Sequence, residues 1–154
     1  MPAANFELPN EIDDAERIVR AIKFPYHVNK SGNKLRPSAF RPEHGKSVVS
    51  VIRQLMGNDF CKNKAVELFD DAYIGLAVIR AGEIRKTGSQ VYNAPEDYVG
   101  HAHIDHEFPT PPPHEPQESA DNERMTLRCK ALVDACLFHR DQRPSVPGWA
   151  GPPL

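Results

Sequence analysis

The chain is poor in cysteine, lacks any long apolar run and carries no excess of one charge, and each scarcity removes a class of protein. Its three cysteines are Cys61, Cys129 and Cys136. Their number is odd and no C-x-x-C occurs, so a disulfide framework does not fit and free or buried thiols in a reducing compartment are expected. No run approaches the ~20 apolar residues needed to cross a bilayer. The residues after Met1 lack the apolar core of a secretory leader, so the expected location is cytoplasmic, with no membrane contact. The formal net charge is −2, which argues against a nucleic-acid binder working through a broad basic face. The local excess of Lys and Arg between Lys23 and Lys46 reads instead as a solvated, charged loop. No internal repeat is present.

Proline, by contrast, is plentiful at 15 residues. It gathers in Pro109 to Pro116 and again in Pro144 to Pro153. Neither stretch can be helix or central strand. Hydrophobic residues make up 40% and charged residues 26% of the 154, as in an ordinary globular domain. Residues 1–140 are therefore expected to form one domain with a proline-rich linker at 109–118, and 141–154 an irregular tail carrying Trp149.

Patterning supplies the elements. Ile12, Ala15, Ile18, Val19 and Ile22 fall at helical spacing behind Asn10, a suitable cap, and predict a first helix ending at Phe24-Pro25. Leu35 to Arg41 reads as irregular. Ser47 to Arg53 is rich in β-branched residues and predicts a strand, Asn58 to Phe69 a helix, and Tyr73 to Arg80 a central strand. A single helical turn over Ala81 to Arg85, a strand over Ser89 to Tyr92 and a last strand over Tyr98 to Ile104 come next. Beyond the prolines, Asp121 is expected to cap a final helix with Met125, Cys129, Leu132, Val133, Cys136 and Leu137 as one apolar stripe. The fold class is α+β, a small and mainly antiparallel sheet flanked by helices.

The densest chemistry is His101-Ala102-His103-Ile104-Asp105-His106. Imidazole and carboxylate are both good ligands for zinc or another divalent metal. On a strand, His101, His103 and Asp105 share one face, the geometry of a two-histidine, one-carboxylate site, while Ala102, Ile104 and His106 point the other way. The H-x-H-x-D-H string resembles the signature of the metallo-β-lactamase superfamily. That resemblance implies a metal pair, but it covers only these residues, and the downstream ligands it requires are missing. The string also resembles the H-x-H-x-H motif of histidine-triad nucleotide hydrolases, except that Asp105 stands at the nucleophile position.

A wider likeness rests on Arg36-Pro37-Ser38-Ala39-Phe40-Arg41-Pro42, Gly75-Leu76-Ala77-Val78, Ala81-Gly82-Glu83-Ile84-Arg85 and Gly100-His101-Ala102-His103-Ile104. These elements resemble a family of small uncharacterised bacterial proteins, and the resemblance implies no particular activity. If they meet in space, Ser38, Phe40 and Glu83 would bind a substrate, with His101, Arg41 and Arg85 as its catalytic groups. Arginine suits a phosphate and histidine a proton transfer. Two functions are thus expected to compete. One is an accessory or regulatory subunit that binds a protein partner through the last helix or the Trp149 tail. The other is a hydrolase or transferase using His101 on a phosphate-bearing substrate, with or without a metal.

Overall fold

Arg17–Lys23, expected as part of a helix, is a strand. The computed structural model describes residues 8–43, 45–112 and 114–154. In chain order its elements are β1 (Arg17–Lys23), β2 (Val48–Arg53), α1 (Asn58–Phe69), β3 (Tyr73–Arg80), α2 (Ala81–Lys86), β4 (Gln90–Asn93), β5 (His101–Asp105), α3 (Ser119–Ala135) and β6 (Leu137–Arg140). The strands form one six-stranded sheet in the order β4-β5-β2-β1-β3-β6, and every pairing is antiparallel. This is a single α+β domain. Among the described residues no helix is long and apolar enough to cross a membrane.

The helical spacing in β1 has a simple cause. The strand lies inside the sheet with both faces covered: Ile18 and Ile22 enter one core, Val19 and Ala21 the other. Apolar residues on both faces erase the period of two, and the surviving pairs imitate a helical stripe. Tertiary pairing with β3 along the whole strand, from Arg17↔Arg80 to Lys23↔Tyr73, then decides the conformation.

The sheet separates two apolar layers. On one face Met125, Cys129 and Leu132 of α3 pack with Phe40, Val49, Val51 and Ile104. Phe40 arrives there on a short 3-10 turn, Pro37–Phe40, within the segment expected to be irregular. On the other face Cys61 and Ala65 of α1 pack with Ile52, Leu76 and Leu154. Truncating a residue such as Leu132 in so closed a layer costs about 2–5 kcal/mol.

α3 begins at Ser119, so Asp121 lies in its first turn and does not cap it. The helix ends at Ala135, and Cys136 stands at its C-cap, so Cys129 and Cys136 do not share a helical face. Leu137–Arg140, expected as the tail of that helix, is the edge strand β6, and His139 lies on it. All three cysteines are free thiols.

The sheet is irregular at its centre. β1 and β2 pair only at Ile18↔Arg53 and Val19↔Ile52. Beyond that point the Arg20 guanidinium reaches into the opening, donating from Nε to Ala39 O (2.8 Å) and from Nη1 to Ser50 O (3.1 Å). The segment past β6 carries no helix or strand and folds back on the body. The buried Lys62 ammonium holds it by an ion pair to Asp141 (2.8 Å) and by donating to the carbonyls of Arg143, Val146 and Gly148 (3.2, 2.8 and 3.1 Å).

Candidate active site

α1 packs on β1 and β3, and among the described residues no helix covers the β2–β5–β4 half of the same sheet face. Register places side chains on this open half in rows. Ser50 is directly opposite His103, which is directly opposite Tyr92. Ile52 is opposite His101 one row further along. Ser50, His103 and Asp105 are partly exposed and Tyr92 is exposed, whereas His101 is buried.

The strand expected over Tyr98 to Ile104 starts only at His101, because the preceding residues fold into a tight loop. Gly100 there has φ +97°, and a Cβ on it would collide with Met56. Within the loop Ala94 N–H donates to His101 O (2.9 Å) and His101 N–H to Tyr98 O (3.2 Å). The loop thus delivers a carbonyl to the imidazole: His101 Nδ1 lies 3.0 Å from Ala94 O. A carbonyl can only accept, so Nδ1 carries a proton, and in the tautomer this selects the lone pair lies on Nε2. Ser50 Oγ lies 2.5 Å from that Nε2. The hydroxyl donates and the imidazole accepts, which is the polarity of a nucleophile with its general base. The Asp97 carboxylate is 3.5 Å from Nδ1 and adds a negative charge behind the ring.

Aromatic contacts hold this pair in place. Tyr98 lies 5.0 Å from the His101 ring and 6.0 Å from Phe60 of α1, and His103 stands edge-on to His101 at 4.7 Å. Burial, then Cys61, Asp97 and Glu67, push the Tyr98 phenol up to about 12, so it stays protonated at neutral pH. Partial burial and the neighbouring His101 lower His103 from its ordinary value, against the pull of Asp97, Glu96 and Asp105. His103 is therefore a mainly neutral imidazole beside the reactive pair.

A second serine–histidine pair shows what a purely structural one looks like. His106 Nε2 donates to Phe40 O (2.7 Å) and its Nδ1 accepts from Ser89 Oγ (2.6 Å), beneath α3. Both residues are closed off from solvent. Burial lowers His106 from its ordinary value and keeps it neutral. It is a buried hydrogen-bonding post, on the opposite face from His101, as alternation required.

The expected site residues do not converge. His101, His103 and Asp105 do share a face, but both nitrogens of His101 are engaged by Ala94 and Ser50. Among the described residues no three His, Cys, Asp or Glu side chains are grouped to hold a metal ion, so these donors do not fit a zinc or other divalent centre. Ser38 Oγ donates to Tyr26 O (2.5 Å), and Phe40 is core beneath α3. Glu83 pairs with Lys86 (3.1 Å) and Arg85 with Asp14 (2.7 Å). Arg41 bonds Thr126, Gln117 and Asn122 around α3. The expected docking elements are engaged within the chain: the α3 stripe faces the sheet, and Trp149 packs on the second core, its backbone N–H donating to Asp59 (2.7 Å) and its indole N–H to Pro152 O (2.7 Å).

Sequence reasoning missed Ser50, Asp97 and Tyr98. The one available signal was Ser50 itself, a lone hydroxyl in the apolar run Val48 to Ile52, and only register reveals its partner. Compared with known proteins, the chain matches no family model, no curated protein and no solved structure.

Proposed function

We propose that the protein is a hydrolase or acyl transferase in which Ser50 is the nucleophile and His101 its general base. The observation that carries this reading is the 2.5 Å Ser50–His101 contact, with the tautomer fixed from behind by Ala94 O. In the step this supports, Ser50 Oγ attacks an ester or amide carbonyl carbon while its proton passes to His101 Nε2. The bond to the leaving alcohol or amine then breaks and the same proton goes to the leaving group. Water, or an acceptor hydroxyl or amine, releases the acyl group from Ser50 by the reverse sequence. His103, directly across the strands, is the side chain best placed to donate to the developing oxyanion.

The charge around the pair favours a neutral or cationic substrate. Asp97, Glu96 and Asp105 bear on His103, Glu107 adjoins Tyr92, and the nearby cation Lys64 is paired with Glu67 at 3.1 Å. A phosphate-bearing substrate would meet that field at a cost. A partner-docking role through α3 or Trp149 has less support, since both are engaged internally.

The test is covalent labelling with a fluorophosphonate or sulfonyl fluoride, located by peptide mass spectrometry. Modification at Ser50 is expected, slowed about 100-fold or more in His101→Gln, with circular dichroism showing that the variant folds. Absence of a Ser50 adduct on folded protein at pH 8, or equal labelling of His101→Gln, would overturn the assignment.

A further inference from the structure

The face of the sheet opposite Ser50 carries a cavity of about 440 Å³. It is open to solvent on one side and bordered by the loop after the Pro37–Phe40 turn, the proline-rich segment and the first turns of α3. Arg41, Lys46, Gln117 and Asn122 give it polar walls, and Phe108 and Met125 apolar ones. That volume lies within the roughly 300–1,000 Å³ usual for small-molecule sites, and the mixture of apolar lining with a few polar groups is also usual.

The charges here are unbalanced. Arg41 donates from Nη1 to Thr126 Oγ1 (3.1 Å) and from Nη2 to Gln117 Oε1 (3.2 Å) and Asn122 Oδ1, all neutral acceptors. Arg128 donates to His106 O (2.5 Å) and lies over the Phe108 ring at 4.5 Å. Arg20, beneath the same loop, donates to two backbone carbonyls. Among the described residues none of these guanidiniums forms an ion pair with a carboxylate. Among the described residues the cavity wall holds one carboxylate, Glu43, which is exposed, pairs with Lys46 at 3.5 Å and also bears on Arg20. Guanidinium groups fixed by neutral oxygens keep their charge available to an anion, and Arg41 is held rigidly by its bonds to α3 and to Gln117.

We propose that this cavity binds a phosphate-bearing small molecule, with Arg41 and Lys46 on the phosphate and Phe108 and Met125 against the apolar body. The site is separate from Ser50–His101 and collects the phosphate-binding chemistry that the acidic surround of His101 disfavours. It does not rest on the hydrolase reading.

Calorimetric titration of the whole chain with ADP, pyrophosphate and adenosine tests it. ADP and pyrophosphate should bind, and adenosine should bind at least about tenfold more weakly, one charge-assisted contact being enough for that ratio. Arg41→Gln and Lys46→Gln should each weaken ADP about tenfold, while Ser50→Ala leaves it unchanged. Lys46 is exposed, so its replacement reads binding without endangering the fold. No saturation by ADP or pyrophosphate at millimolar concentration would overturn the site. So would affinity for ADP equal to that for adenosine, or indifference to both substitutions.

Discussion

His27 shows how one buried ring makes this protein sensitive to acid. It is nearly closed to solvent, its Nδ1 accepts from Lys23 N–H at 3.1 Å, and its edge meets Phe69 at 5.8 Å. Burial, then Arg20 and Lys23, depress its pKa to about 3. In the unfolded chain the ring takes a proton below about 6.5, so between that pH and about 3 the unfolded state binds the proton and the folded state does not. Stability therefore falls as pH drops through this window, by up to about 1.4 kcal/mol per pH unit from this group. Urea midpoints measured from pH 7 to pH 4.5 should fall, and His27→Gln should flatten that slope; an unchanged slope would remove His27 as the cause. Lys62 is the corresponding buried cation. Its ion pair with Asp141 is completed by Tyr73 O–H at 2.7 Å on the same carboxylate. Lys62→Met leaves a buried carboxylate without its ammonium, which costs about 3–5 kcal/mol. Thermal denaturation should show the loss, and hydrogen exchange should place it first in the tail that Lys62 holds.

Elements whose pattern survives folding were legible from sequence. α1 runs over Asn58–Phe69 and β3 over Tyr73–Arg80 as expected, because each is bounded by chemistry of its own, Gly57 before the helix and the switch to α2 after the strand. β1 failed where burial on both faces hid the alternation, and β6 failed because Leu137 continues the spacing of the α3 stripe. Of the candidate site, the shared face of His101, His103 and Asp105 was readable from alternation alone. The partners of His101 were not: Ser50 is 51 positions away in sequence, and only the β2–β5 register joins them. The same dependence on pairing makes β6 testable. Gly75 of β3 faces Arg140, and a Cβ there would strike the carbonyl of His139. Gly75→Ala must push β6 away from β3, at about 1–3 kcal/mol for overpacking. Hydrogen exchange in Leu137–Arg140 should accelerate while β2 and β5 stay protected. Unchanged protection of β6 would mean that the edge absorbs the methyl group.

At the scale of the molecule, one ion pair joins parts that the sheet alone connects weakly. β1 and β2 share only two directly paired positions, yet this junction unites the β4–β5–β2 half, which carries Ser50 and His101, with the β1–β3–β6 half under α1. Arg53, fully buried, sits at that junction. It binds Glu16 through both carboxylate oxygens at 2.6 Å, Pro9 O at 2.6 Å and Asn93 Oδ1 at 3.1 Å. One guanidinium thus ties the entry to β1, the end of β2, the end of β4 and the segment that precedes the sheet. The bidentate geometry and the neutral acceptors satisfy its donors, so the pair offsets its own desolvation only while intact. Removing either partner strands the other charge in a dry interior. Arg53→Met and Glu16→Gln should therefore each lose about 3–5 kcal/mol, a large fraction of the roughly 5–15 kcal/mol that stabilises a domain of this kind. The double variant should lose less than the sum of the two. Equilibrium urea denaturation of the three proteins measures this coupling, and additivity of the two losses would show that the halves are joined by something else. If coupling is found, labelling of Ser50 in Glu16→Gln should slow under conditions where α1 and β3 remain folded, because the open half of the sheet then loses its hold on the closed half.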